Sequence, residues 1–163
     1  MLAEPMIKDG RADFDFLMGN WKVHHKRLKE RLKGSTTWED FEGTLTARPL
    51  LNGLGNIDES LMHRTSGPVQ GVGIRFFDAN SHQWTIYWAD GSSGFLLYPM
   101  VGGFEDGRGI FYAHEPIAGK MIFTRFIWSE ITEDSCKWEQ AFSADGGKTW
   151  ETNWVMTFER ELL

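Results

Sequence analysis

Apolar residues in this chain recur at every second position, in short runs broken by Gly, Asn, Asp, Ser and Pro. A period of two marks half-buried β-strands, and turn residues between the runs mark antiparallel connections. The clearest case is 137–160. Trp138, Gln140 and Phe142 share one face of its first run, and Trp150, Thr152, Trp154, Met156 and Phe158 share one face of its second. Upstream, 20–32 places Trp21, Val23, His25 and Arg27 on one face and Lys22, His24 and Lys26 on the other. The run 37–48 puts Phe41, Leu45 and Ala47 in phase with Glu39. Further strands are expected over 56–63, 69–77, 83–89, 109–114 and 121–131, with a broken one over 95–104. Ile57, Leu61 and His63 fall in phase in the first of these, and Trp84, Ile86 and Trp88 in the third. Phe14, Phe16, Leu17 and Met18 form an apolar patch before Gly19, read as one helical turn that plugs an end of the sheet.

About ten short strands and no long helix suggest a sheet that closes on itself, because closure removes exposed edges. The expectation is an all-β, up-and-down antiparallel barrel with a short N-terminal helical plug. Residues 1–12 read as a flexible arm and 13–163 as a single domain. The chain has 163 residues, enough to bury a real core. Its 14% aromatic content supplies large buried areas. The formal charge of −6 argues against nonspecific nucleic-acid binding. One cysteine, Cys136, rules out an internal disulfide and a multi-cysteine metal site, and fits a cytoplasmic location. Residues 1–16 lack the apolar core of a signal peptide, and no run approaches a membrane-spanning helix. No metal site and no membrane partner are expected.

No nucleophile elbow, phosphate loop, dinucleotide fingerprint or zinc-protease helix is present. Ser143-x-Asp145-x-Gly147-x-x-Trp150 has the form of a sialidase Asp-box, but it occurs once, so it reads as turn chemistry. Adjacent strand residues point to opposite faces, so His24 and His25 cannot readily share a metal. His25 and Arg27, on the Trp21 face, suit either an anchor for an anionic head group or a hydrogen-bonded pair near the rim. Arg75, Arg125, Glu59 and Glu139 lie within strands, where charged residues usually face solvent; any that lie inside must pair. Gln140 shares the Trp138 face and is the better inward candidate. The candidate ligand-binding set is therefore His25, Arg27, Trp88, Trp138, Gln140 and Trp154. Three readings follow: a barrel binding a small, mostly apolar ligand; a small-molecule isomerase or hydrolase using His25 or a buried carboxylate; and an interaction module forming a homodimer through an aromatic outer face.

Gly19-Asn20-Trp21 at the start of the first strand resembles the Gly-x-Trp signature of lipocalin-like, or calycin, barrels. The segments FDFLMGNWKVHHKRLKERL and WEQAFSADGGKTWETNWVMTFER more specifically resemble a bacterial family of small calycin-like barrels known as a domain of unknown function. The resemblance implies the barrel fold, with Arg160 of the last strand covering Trp21 at the closed end. It carries no shared activity. Some related barrels bind haem, which makes His25, His63 and His114 the candidates for that alternative. No other cofactor is recognised.

Overall fold

The computed structural model describes residues 9–92, 94–95 and 98–162. Its strands are β1 (Gly19–Leu28), β2 (Trp38–Leu50), β3 (Gly55–Arg64), β4 (Gly67–Asp78), β5 (Gln83–Asp90), β6 (Gly94–Phe95), β7 (Met100–Glu105), β8 (Arg108–Ile117), β9 (Lys120–Ser129), β10 (Ser135–Ser143) and β11 (Glu151–Arg160). Each pairs antiparallel with its neighbours. β1 pairs with both β2 and β11, and β4 with β5, so the sheet closes. β6 and β7 lie on the same side of β5, one after the other. The result is a closed ten-lane antiparallel β-barrel with an up-and-down order.

The period-two pattern decides which side chains enter. Along β2, Glu39, Phe41, Leu45 and Ala47 are buried, while Asp40, Glu42, Thr44 and Thr46 between them are exposed. The barrel has two unlike ends. At one, 3-10 turns at Gly10–Ala12 and Asp15–Leu17 enter as a plug. The expected arm over 1–12 thus ends in an ordered turn: Gly10 is buried, and its carbonyl accepts from Trp84 Nε1 at 2.9 Å. Residues 1–8 lie outside the described residues. Phe14 and Leu17 are fully buried among Trp21, Trp84, Phe111, Trp128 and Phe158. Phe14 meets Trp84 and Phe104 edge-on, at 5.0 and 4.9 Å between centroids. Burying a side chain of this size contributes ~1.5–3 kcal/mol, so the plug adds materially to the core.

The closing contact is explicit. The Arg160 guanidinium lies 4.1 Å from the Trp21 ring centroid. It donates to the carbonyls of Met18 (2.6 Å), Phe16 (2.8 Å) and Glu133 (2.8 Å). Trp21 Nε1 donates to the Leu17 carbonyl at 2.8 Å. Gly19 explains the first position of the signature. Its φ is +111°, and a Cβ there would come 2.7 Å from Arg160 Nη1. A larger residue would be strained twice, once in its backbone and once against the arginine.

The C-terminal hairpin departs from strict alternation. Gln140 opposes Trp154, but Ala141 opposes Thr152, so Asn153 is an extra residue in β11. This β-bulge flips the parity. Trp154, Met156 and Phe158 face inward as expected. Thr152 is exposed instead, and Trp150 sits before the strand, in the turn, under Arg125 at 4.2 Å.

Candidate functional site

At the end opposite the plug, the interior is lined by charged and aromatic groups rather than by closed core. β1 brings His25 and Arg27 inward. β2 brings Glu39 and Phe41, β3 Arg64, β5 Trp88, β10 Trp138 and Gln140, and β11 Trp154. The six predicted residues thus share the barrel interior. Inward-facing Trp88, Phe126, Trp154 and Met156 are only half-buried, whereas Phe14, Leu17, Trp21, Trp84 and Phe111 at the plug end are sealed. Solvent therefore reaches the inner wall at the mouth end.

Three guanidiniums converge there. Arg27 lies 5.1 Å over the Trp154 ring, and Arg31, in the segment after β1, lies 5.3 Å over Phe142. Arg64 pairs with Glu39 at 2.8 Å. Burial, then Arg31 and Arg64, pull Arg27 down to about 10; burial and Arg64 also lower Arg31. Arg27 and Arg31 still stay charged at neutral pH. Glu39 is held down to about 2, chiefly by the hydrogen bond from Arg64 and also by Thr65. Four carboxylates border the group, and each has protein donors. Arg64 and Thr65 donate to Glu39, Trp88 Nε1 and Ser92 to Asp90, Thr124 to Glu115, and the Leu32 amide to Glu151. Arg27 forms no ion pair among the described residues, and its Nε is buried without a hydrogen-bond partner. Arg64 Nε and Asn153 Nδ2 share that condition.

His25 is buried, stacked on Phe41 at 4.5 Å, and its Nδ1 accepts from Trp154 Nε1 at 3.1 Å. Burial, then the neighbouring His24 and Arg64, push it down to about 3. It is neutral at physiological pH, with its proton on Nε2. A ring so hard to protonate is a weak general base, so the arrangement favours orientation over proton transfer. Gln140 Nε2 donates to Asn153 Oδ1 at 2.8 Å. Trp88 lies across Gly71 of β4, where any Cβ would overlap its ring.

Several expectations need correction. Arg75 does not face solvent. It points inward and pairs with buried Asp58 at 2.6 Å, donates to Asn56 Oδ1 at 3.0 Å, and lies 5.2 Å over Phe14. Of the haem candidates, His63 and His114 are exposed on the outer wall, and His114 stacks on Phe123 at 4.3 Å. Only His25 is inward, with Nδ1 already engaged. Asp145 is turn chemistry, accepting from the amides of Lys148 and Thr149. Among the described residues, no group of three or more His, Cys, Asp or Glu is placed to hold a metal. No described helix is long and apolar enough to cross a membrane.

Pattern reasoning missed Arg31, Arg64 and Asn153. Arg64 shares parity with Met62 on β3, so pairing β3 to β2 would have found it. Asn153 left no signal, because only the bulge turns it inward. Two surface concavities, of about 390 and 640 Å³, lie on the outer wall around Lys22, His24 and Glu42, and around Leu61, His63 and Gln70. Neither contains Arg27, Arg64 or Asn153.

No family model matches the chain, and no curated protein does. Solved structures match in fold. EF1p2_mFAP2b bound to DFHBI superposes with a TM-score of 0.51 at 12% identity, over 93% of this chain and 99% of that one. A de novo designed fluorescence-activating β-barrel gives 0.47 at 12% identity, over 95% and 100%. The likeness is one of fold alone, a closed antiparallel β-barrel.

Proposed function

We propose that the protein binds a small, mostly apolar molecule with an anionic head group in the mouth half of the barrel. The observation that carries this reading is Arg27: a charged, half-buried guanidinium on the inner wall of the mouth, stacked over Trp154 and with no ion pair among the described residues. Glu39 and Asp90 act on this half-buried charge only from a distance, and an incoming anion would give it a direct partner. Trp88, Trp138 and Trp154 would exclude water from the apolar body. The fold neighbour at TM-score 0.51 holds DFHBI, which supports the capacity of such barrels for small molecules. The resemblance to calycin-like barrels belongs to the same proposal, and the Trp21–Arg160 contact supports it.

The test is a titration with decanoate as probe, followed by tryptophan fluorescence, on wild type and Arg27→Met. Loss of one charge-assisted hydrogen bond should weaken binding by ~1–3 kcal/mol, roughly 5- to 150-fold. Equal affinity in the two proteins removes Arg27 from the site. Absence of decanoate binding to wild type counts against a carboxylate-headed ligand.

A further inference from the structure

The outer wall of the barrel has two unlike halves. Over β10, β11 and β1 to β3 it carries charges of both signs, among them Lys137, Glu159, Lys22, Asp40, Glu42 and Glu59. Over β4, β5, β7, β8 and β9 it is apolar. One cross-strand row there runs through the register partners Phe76, Thr85, Val101, Tyr112 and Arg125. Phe76, Val101 and Tyr112 are 39%, 38% and 48% exposed. In the next row towards the mouth, Ile74 pairs with Tyr87, and His114 with Phe123. Between the strand ends, Arg125 is the one outward Lys, Arg, Asp or Glu among the described residues of this half, and its guanidinium lies 4.2 Å from the Trp150 ring centroid.

An apolar patch rimmed by charge marks an interaction site, with the uncharged centre as its core. Five lanes ~4.8 Å apart and about five residues long project to roughly 400 Å². A standard interface buries ~800 Å² per partner, polar rim included, so patch and rim together reach the size a dimer needs. The rim charges are sorted by end. Asp78, Glu105, Asp106 and Arg108 stand at the plug end, a net acidic set, and Lys120 at the mouth end. We propose that two copies of the chain pair face to face through this half, as a two-fold dimer with plug and mouth ends opposed. That arrangement sets the acidic end of each copy beside the Lys120 end of the other, whereas like ends together would set acid against acid. It also turns the two charged halves away from each other, which limits repulsion between chains of net charge −6. The contact is isologous, with Val101 and Tyr112 of both copies at its centre. Both mouths stay open at opposite ends, so pairing stands apart from the interior-binding reading.

Sedimentation velocity on the full chain from ~1 to ~100 μM tests this. Wild type should form a dimer of the 18.7 kDa chain at the upper end of that range. Tyr112→Lys brings two like charges to the centre of the contact and should raise the dimer dissociation constant at least ~30-fold. Thr44→Lys, on the charged half, should leave it within about threefold. Thermal unfolding checks each variant, and Val101→Lys takes the place of Tyr112→Lys if that variant does not fold. Lys120→Glu should weaken the dimer ~5-fold or more, and adding Glu105→Lys should restore it. Wild type that stays monomeric at ~100 μM overturns the proposal. A dimer that the central lysine leaves intact overturns it too. A dimer broken by the central lysine but indifferent to Lys120→Glu overturns the opposed-end arrangement.

Discussion

Replacing Arg160 tests whether the barrel is held shut by one side chain. Its guanidinium reaches three carbonyls, those of Met18, Phe16 and Glu133, and covers Trp21. Two of those bonds are partly buried and one is exposed. Hydrogen bonds from a charged donor contribute ~1.5 kcal/mol each in partly buried settings and less at the surface. The stack on an indole adds ~0.5–1 kcal/mol. Arg160→Met should therefore cost ~3–4 kcal/mol. Arg160→Lys keeps the charge but not the planar fork that serves three acceptors, so it should cost ~2 kcal/mol. With a urea slope of ~2 kcal/mol per molar, the midpoints fall by roughly 1.5–2 M and 1 M. Equilibrium urea unfolding followed by tryptophan fluorescence reads this directly. Arg48→Met, on the exposed face of β2, serves as the control and should stay near wild type. If Arg160→Met shifts the midpoint no more than that control, the closing role is wrong.

The remaining predictions concern the interior. His25 has its folded pKa depressed to about 3 from an ordinary 6.5, so it contributes stability that is full above ~6.5 and is lost as pH falls towards 3. Glu39, depressed to about 2, adds a loss that begins below ~4.5. His25 ring protons followed by NMR should show no titration between pH 8 and roughly 5; a midpoint near 6.5 would refute its buried, neutral state. Asp58→Asn leaves Arg75 buried without its counter-charge and should destabilise by ~3–5 kcal/mol in thermal or urea unfolding; a loss below about 1 kcal/mol would contradict the pairing. Gly71→Ala drives a methyl into the Trp88 ring, so it should cost ~1–3 kcal/mol and change the near-ultraviolet circular dichroism; an unaltered spectrum would show that Trp88 does not rest there.

The strands were legible because their alternation is imposed by one buried face. Trp21, Val23 and His25 on β1, and Phe41, Leu45 and Ala47 on β2, declare that face residue by residue. The closing pair was legible only through resemblance, since nothing in the spacing of Trp21 and Arg160 brings them together. Arg75 could not be assigned to a face, because a charged residue in a strand usually seeks water and lies inside only when paired. Its partner Asp58 lies on another strand, and a pair across strands is invisible without register. The parity argument failed at Thr152 and Trp150 for a single reason, the extra residue Asn153, which shifts everything on its N-terminal side. A bulge is set by local backbone pairing with β10, and no composition cue in ETNWVM announces it. The mouth's charge cluster was partly foreseen through Arg27. Arg31 and Arg64 come from a connecting segment and from a strand end, where periodicity has the least to say.

The seam between β1 and β11 also sets an order of events during synthesis. Arg160 bonds to residues 142 and 144 positions earlier in the chain. β11 leaves the ribosome after every other strand of the barrel has emerged. Until then β1 and β10 each present an unpaired edge, and the carbonyls of Phe16 and Met18 lack their guanidinium. Such long-range closure slows folding and leaves the nascent chain open to edge pairing with other chains. A ribosome stalled before β11 would therefore release a species with two templating edges, more prone to aggregate than one carrying most single substitutions in the finished barrel.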